Sequence, residues 1–187
     1  MSFPRVISGT AKGMRLRPVP GDITRPVTDR VKEALFNILD QEIIDTDFLD
    51  LFGGTGSVGI EALSRGARFA RFIDLHRTAI ETIKANLEHT RLKDRAEIIR
   101  ADALVYLRQP PDRRFDYIYI APPQYKGMWQ MVMQSLENNP GWLADDGWIM
   151  VQIDPLEYAR IESKLFHELD QRRYGSTLLV FFEKFTP

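Results

Sequence analysis

The acidic residues Asp50, Asp74 and Asp102 each stand at or just beyond the end of a short apolar run, and Asp50 lies just ahead of a glycine-rich turn, Phe52-Gly-Gly-Thr-Gly-Ser-Val-Gly59. Gly54, Gly56 and Gly59 have the G-x-G-x-x-G spacing of a dinucleotide-binding turn. A dinucleotide, however, lays its pyrophosphate against the N–H groups of such a turn and the following helix N-terminus, where a carboxylate at Asp50 would repel it. S-adenosylmethionine has no phosphate and carries an ammonium and a sulfonium, so an acid beside the turn attracts it. Asp50 therefore points away from nicotinamide-dependent hydride transfer and toward methyl transfer. On this basis Asp50 is assigned to the cofactor's amino group, directly or through water, Asp74 to its ribose hydroxyls and Asp102 to its adenine amino group. Phe52, Gly53, Gly54 and Gly56 form the turn over which the cofactor would lie, the glycines leaving no Cβ in the way. Gly59 is expected to serve close helix-to-strand packing. Each acid alone is explained by a loop or a helix cap; their recurrence at corresponding positions points to one shared crevice.

The elements that must position these residues follow from the apolar pattern. From Phe48 onward, apolar runs alternate with helical patterns, which predicts an α/β fold with a parallel sheet and crossover helices. Strands are expected over residues 48–52, 69–73, 96–99, 117–120 and 148–153, with helices over 58–64, around Ile80, Ile83 and Leu87, and over 103–107 and 128–137. The tail differs: residues 165–173 and 177–185 flank Gly175-Ser176 and read as an antiparallel hairpin. In such a sheet ligands bind outside the carboxyl ends of the strands, where the three acids fall. Ahead of this domain, residues 5–8 and 14–19 flank Gly9-Thr-Ala-Lys-Gly13 as a second hairpin, and Pro18, Pro20, Gly21 and Pro26 keep the chain irregular. Thr28 is positioned to cap a helix whose apolar stripe is Val31, Ala34, Leu35, Ile38 and Leu39. The expected organisation is a basic arm over 1–27 and one catalytic domain over 28–187.

Composition narrows the function classes. The chain has 187 residues, 44% of them hydrophobic and 27% charged, enough for one well-buried core. It has no apolar run near the roughly 20 residues that span a bilayer, and its N-terminus lacks a secretion-signal pattern. A cytoplasmic location is expected, without membrane contact. There are no cysteines, which removes disulfides, thiolate nucleophiles and Cys-containing zinc sites. His76, His89 and His167 are too far apart to suggest a metal cluster, so no metal is expected. Formal net charge is −1, yet up to Leu39 seven basic residues (Arg5, Lys12, Arg15, Arg17, Arg25, Arg30 and Lys32) face three acidic ones. A basic arm on a mildly acidic body suits a grip on a polyanion, and Arg5, Lys12, Arg15, Arg17 and Arg25 are the candidate phosphate contacts. Trp129, Trp142 and Trp148 read as core or boundary aromatics.

Four blocks carry a resemblance: Arg-Val-Ile-Ser-Gly-Thr-Ala-Lys-Gly-Met-Arg-Leu from Arg5, Arg-Pro-Val-Thr-Asp-Arg-Val-Lys-Glu-Ala-Leu-Phe-Asn-Ile-Leu from Arg25, Asp-Leu-Phe-Gly-Gly-Thr-Gly from Asp50, and Gly-Ile-Glu-Ala-Leu-Ser-Arg-Gly-Ala from Gly59. Together they resemble the bacterial small-subunit (16S) ribosomal RNA guanine-N2 methyltransferases of the RsmD type, over nearly the whole chain. The glycine block is general to a superfamily; the Arg5 and Arg25 blocks are specific. The resemblance implies a Rossmann-like class I fold with a seven-stranded, mostly parallel sheet, S-adenosylmethionine as methyl donor and a ribosomal RNA guanine as acceptor. It implies ribosomal RNA or an assembling small subunit as partner, and a monomer is expected.

One departure from that family bears on catalysis. The family has Asp-Pro-Pro followed by Tyr or Phe after strand four, whereas this chain has Ala121-Pro-Pro-Gln-Tyr125. An exocyclic base amine is a poor nucleophile because its lone pair is delocalised into the ring. Such sites hold its two N–H bonds with a side-chain oxygen and a backbone carbonyl beside the prolines, and stack an aromatic ring on the extruded base. Ala121 has no acceptor. The catalytic candidates are therefore the loop residues Pro122, with its carbonyl, Pro123, Gln124, with a side-chain oxygen, and Tyr125, with the ring one position late. Three alternatives stay open at the level of sequence: a binding protein that has lost catalysis, an amino-methylating DNA enzyme, disfavoured because no DNA-reading domain is recognisable, and a dehydrogenase, disfavoured by Asp50.

Overall fold

Parallel strands β1 (Asp47–Asp50), β2 (Phe69–Asp74), β3 (Ala96–Arg100), β4 (Phe115–Ile120) and β5 (Leu143–Ile153) share one sheet with an antiparallel hairpin, β6 (Phe166–Tyr174) and β7 (Thr177–Lys184). This computed structural model describes residues 3–21 and 27–185. Arg25 therefore lies outside the described residues. The strand order is β3-β2-β1-β4-β5-β7-β6, so the chain builds outward from β1 in one direction, then returns to β4 and builds in the other. All four residues of β1 are buried, as a central parallel strand covered on both faces requires. Helices α1 (Asp29–Leu39), α2 (Ser57–Ser64), α3 (Arg77–His89), α4 (Ala103–Leu107) and α5 (Met128–Asn138) cover the sheet.

Two apolar clusters result. One joins α1, α2 and α3 residues with Val6, Ala11 and Leu16 of the N-terminal segment. The other joins α4 and α5 with Trp129, 0% exposed, and Trp142, 1% exposed. Trp148 is partly buried against the first cluster, so all three tryptophans are core or boundary residues. Gly59 shows why helix α2 can approach the sheet: a Cβ there would lie 2.3 Å from Phe72 Cε1.

Most elements lie within one or two residues of their expected positions. Strand β5 is the exception, starting at Leu143 rather than near Trp148. A register shift against β4 between Phe115 and Tyr117 carries it through Asp145-Asp146-Gly147, whose composition reads as a turn. The expected N-terminal hairpin is reduced to a single antiparallel bridge, Arg5 with Arg15, flanked by bonds from the Val6 N–H to the Met14 carbonyl (2.9 Å) and from the Gly13 N–H to the Val6 carbonyl (2.8 Å).

Side chains from the body, rather than a ladder, hold this segment. The Glu61 carboxylate, on α2, accepts the Ile7 N–H (2.9 Å), the Ser8 N–H (3.0 Å) and Arg65 Nε (2.8 Å), and lies 3.5 Å from Lys32 Nζ. Lys32 and Glu61 are both 0% exposed. Lys32 Nζ also donates to the Arg5 carbonyl and to Ser57 Oγ. Burial pushes the Lys32 ammonium below its ordinary range, against the pull of Glu61. Ser64 Oγ accepts the Ala11 N–H (2.9 Å) and donates to the Ser8 carbonyl (2.6 Å).

Candidate functional site

The strand order reverses between β1 and β4, and Asp50 is in register with Tyr119 across that pair. The glycine turn after β1 and the loop over residues 121–127 after β4 consequently leave the sheet side by side, at the position where open α/β sheets form their crevice. Gly54 and Gly56 adopt left-handed φ values of 56° and 80°, and Gly56 is the N-cap of α2, so the turn needs residues without a Cβ.

Asp50, the last residue of β1, is only 1% exposed. Burial, and secondly the charge of Asp74, pushes its carboxyl up to about 7, although the N–H groups of Phe52 and Gly59 donate to it and oppose the rise. Its Oδ1 is a buried acceptor with no partner among the described residues. An orphaned carboxylate oxygen beside a cradle of glycines suits a bound ammonium. Asp74 closes β2 and holds the turn in shape: Oδ2 accepts the Gly54 N–H and Oδ1 the His76 N–H, each at 2.9 Å. Asp102 caps α4, its Oδ1 accepting the Leu104 N–H (2.9 Å) and the Val105 N–H (3.1 Å). Both acids thus serve local structure. Phe52 is partly buried against the α4 and α5 side of the core. Exposed Leu75 and Val105 follow Asp74 and Asp102 and offer apolar surface next to each acid.

On the other side of the crevice, Ala121 is partly buried and Pro122 follows it, while Tyr125 is 64% exposed at φ 60°. The Tyr125 hydroxyl donates to Asp154 Oδ2 (2.8 Å) and its N–H to Glu157 Oε1 (2.6 Å). Beneath the loop, the buried Tyr119 hydroxyl donates to Gln152 Oε1. Burial and the neighbouring Asp50 raise that phenol well above its ordinary range, so it stays a neutral donor.

Arg5, Lys12, Arg15 and Arg17 are all exposed on the N-terminal segment. Arg5 Nε is paired with Asp29 Oδ2 at 2.7 Å on the surface. The segment is fastened to the crevice by Asn86 of α3: its Oδ1 accepts the Arg17 N–H (2.8 Å), and its Nδ2 donates to the carbonyls of Arg17 (3.1 Å) and Thr55 (2.8 Å), the latter inside the glycine turn. The backbone of the basic segment at Arg17 is thereby tied to the turn. Among the described residues no cluster of His, Asp or Glu is arranged to hold a metal, and no helix is long and apolar enough to cross a membrane.

The sequence reading missed Lys32, Glu61 and Asn86, which anchor the basic segment, and Asp154 and Glu157, which hold Tyr125. Signals existed for two of these groups. Lys32, Leu35, Phe36 and Leu39 stand at i, i+3, i+4 and i+7, placing the lysine on the buried stripe. Asp154-Pro-Leu-Glu157 has the spacing of a capping box with proline in the first turn, directly after a strand.

Comparison with known proteins accords with this architecture. The model of the family described as "Conserved hypothetical protein 95" matches residues 4–183. Ribosomal RNA small subunit methyltransferase D of Escherichia coli (strain K12) is 38% identical over 149 residues, covering 79% of this chain and 73% of the relative. The protein of the same name from Haemophilus influenzae is 36% identical over 153 residues, covering 80% and 78%. The solved structure of yhhF from Escherichia coli superposes with a TM-score of 0.87 at 31% identity, covering 98% of each chain. The match across nearly all of the chain, including the N-terminal segment and the loop after β4, means that it belongs to the Conserved hypothetical protein 95 family, the family of the RsmD-type methyltransferases.

Proposed function

We propose that this protein transfers a methyl group from S-adenosylmethionine to the N2 amine of a guanine in small-subunit ribosomal RNA. The observation that carries the proposal is the meeting of two loops at the β1–β4 reversal: a glycine turn flanked by a buried, half-satisfied acid, and a Pro-Pro loop presenting an aromatic ring. The family relatives named for ribosomal RNA methylation support the substrate class.

When bound, S-adenosylmethionine supplies an electrophilic methyl group on a sulfonium. Asp50 Oδ1, without a partner among the described residues, would accept from its ammonium, directly or through water. Each Asp74 oxygen has a second lone pair beyond the bonds that shape the turn, enough for two ribose hydroxyls. Asp102 Oδ2, the oxygen outside the cap, would accept from the adenine amine. Gly53, Gly54 and Gly56 bring the backbone close. On the acceptor side, the Pro122 carbonyl and the Gln124 side-chain oxygen hold the two N–H bonds of the guanine amine, Pro123 keeps the loop rigid, and Tyr125 stacks on the base. Arg5, Lys12, Arg15, Arg17 and Arg25 bind phosphates. The transfer would be direct, with no enzyme nucleophile: the amine nitrogen would take the methyl group as the sulfur–methyl bond breaks, leaving a neutral thioether, and its surplus proton would pass to solvent.

Ala121 favours a second version, in which cofactor and RNA are bound but transfer is slow or lost, because one preorganised polar contact at such a centre is worth on the order of 10² to 10³ in rate. Labelled methyl transfer to naked small-subunit RNA and to partly assembled subunits, followed by identification of the modified base, tests both. Label in N2-methylguanine supports the proposal; label in another base overturns it, and binding without any transfer supports the second version.

A further inference from the structure

Tyr125 combines two features that rarely coincide in a loop side chain: it is 64% exposed, yet it is tied at both its backbone and its phenol. Its φ of 60° is left-handed, which costs a bulky residue free energy unless its surroundings enforce it. The enforcing groups come from the turn after β5. Asp154 Oδ2 accepts the phenol at 2.8 Å while Oδ1 accepts the Leu156 N–H at 2.9 Å. Glu157 Oε1 accepts the Tyr125 N–H at 2.6 Å, and its Oε2 accepts the Asp154 N–H at 3.4 Å. The turn is itself seated on the core, because Trp129 Nε1, on a fully buried indole, donates to the Glu157 carbonyl at 3.3 Å.

We infer that Asp154 and Glu157 are positioning residues that preset the Tyr125 ring as the stacking surface for the extruded guanine before RNA arrives; this rests on the methyl-transfer function proposed above. A stacking ring on a mobile loop would have to be ordered by the base it receives, and that ordering would be subtracted from binding. Here the ring is fixed in advance by groups outside its own loop. The need for them follows from its place in the sequence: Tyr125 stands two residues beyond Pro123, so the rigid prolines do not set its direction by themselves. Leu156, 86% exposed, lies on the same turn and shares the Asp154 carboxylate with the phenol. It is an exposed apolar side chain on the turn that holds the ring.

The test compares Asp154→Ala, Asp154→Asn, Glu157→Ala, Tyr125→Ala, Tyr125→Phe and the double variant Asp154→Ala with Tyr125→Ala. Two readouts run in parallel: amide hydrogen exchange of the unliganded protein over residues 122–127, and steady-state methyl transfer to partly assembled small subunits, with dissociation constants for naked small-subunit RNA taking its place should turnover be too slow. Asp154→Ala and Glu157→Ala should speed exchange in that segment. They should also lower kcat/KM for the RNA substrate, or RNA affinity, by about tenfold, equivalent to about 1.4 kcal/mol, with cofactor affinity unchanged. Asp154→Asn keeps one oxygen, for either the phenol or the Leu156 N–H but not both, and its NH2 can donate to the phenol oxygen instead, so it should recover part of the loss, which a general loss of folding would not do. Tyr125→Phe should resemble Asp154→Ala, and Asp154→Ala should add nothing in the Tyr125→Ala background. Loss in Tyr125→Ala with wild-type behaviour of Asp154→Ala and Glu157→Ala, or additive losses in the double variant, overturns the positioning role and leaves the stacking role standing. Wild-type behaviour of Tyr125→Ala overturns the stacking role, and the positioning role with it.

Discussion

Replacing Asp50 by Asn separates the cofactor's contribution at this residue from the cost of keeping a carboxylate there. Its carboxyl moves from 3.8 to about 7 because it is buried and faces Asp74, a preference for the neutral form of about 4 kcal/mol. The sign follows from proton counting. Between about pH 4 and 7 the folded, unliganded protein holds a proton on Asp50 that the unfolded chain has released, so this residue makes stability fall as pH rises through that window. Above about 7 both states are ionised and the loss levels off. An asparagine at this position cannot titrate, yet it keeps an oxygen for the Phe52 and Gly59 N–H groups. The variant should therefore be free of the fall and exceed the wild type at pH 8 by at most about 4 kcal/mol, in urea denaturation from pH 5 to 8.5. Cofactor binding should respond in the opposite sense. An ammonium beside Asp50 favours the ionised carboxylate, so binding to the wild type near pH 6 should release about one proton, measurable by isothermal titration in buffers of different ionisation heat. Asp50→Asn should bind more weakly and release none. An unaltered pH dependence of stability, or wild-type cofactor affinity in the variant, would refute the role given to this carboxylate.

Three further outcomes are expected. Changing Arg5, Lys12, Arg15 and Arg17 together to Ala should weaken RNA binding and flatten its dependence on log salt by roughly 0.7 to 0.9 per phosphate no longer held, with cofactor affinity unchanged; an unchanged salt slope in filter binding would mean these exposed side chains touch no phosphate. Glu61→Ala leaves the buried Lys32 ammonium and the Ile7 and Ser8 N–H groups without their acceptor, so thermal or urea denaturation should show a loss of about 3 to 5 kcal/mol, and limited proteolysis should cut the N-terminal segment sooner; equal stability would contradict the anchoring. Ala121→Asp restores a side-chain acceptor at the amine and should raise the methyl-transfer rate without altering cofactor affinity, whereas a rate unaffected there but reduced on the order of 10² by Gln124→Ala would assign the acceptor role to Gln124.

Much of the fold was legible because its signals are local. Apolar runs of strand length alternating with helical spacing mark β1 to β4 and α2, α4 and α5 within a residue or two, and place α3 around Ile80, Ile83 and Leu87, since a parallel sheet buried on both faces leaves near-continuous apolar strands. Helix α1 was legible down to its cap, where Thr28 Oγ1 accepts the Val31 N–H at 3.3 Å. The early part of strand β5, ahead of Trp148, was not, because it survives on a register shift against β4, a property of the pair rather than of either segment. The N-terminal hairpin forms only in part, for a similar reason. Its residues have extended composition, but Glu61 and Ser64, more than fifty residues away, satisfy its N–H groups in place of a partner strand.

The candidate site divides along the same line. A rule about strand ends finds Asp50, Asp74 and Asp102 without coordinates, since it requires only knowing where apolar runs stop. Applied once more it would have reached Asp154, which closes β5 as the others close β1 to β3. What conceals Asp154 is Pro155, which makes the segment read as an ordinary turn, and the capping box does give it that local role. Its second bond, to a phenol twenty-nine residues earlier in the chain, appears only after β4 and β5 are placed side by side. The chain that lacks the expected acid at Ala121 thus carries another acid at the end of the adjacent strand, directed at the loop aromatic instead of at the place of the missing carboxylate. That difference bears on mechanism. An acid at residue 121 would act on the amine being methylated, whereas Asp154 acts on the surface that receives the base, so restoring the first should change turnover and removing the second should change how the RNA is held.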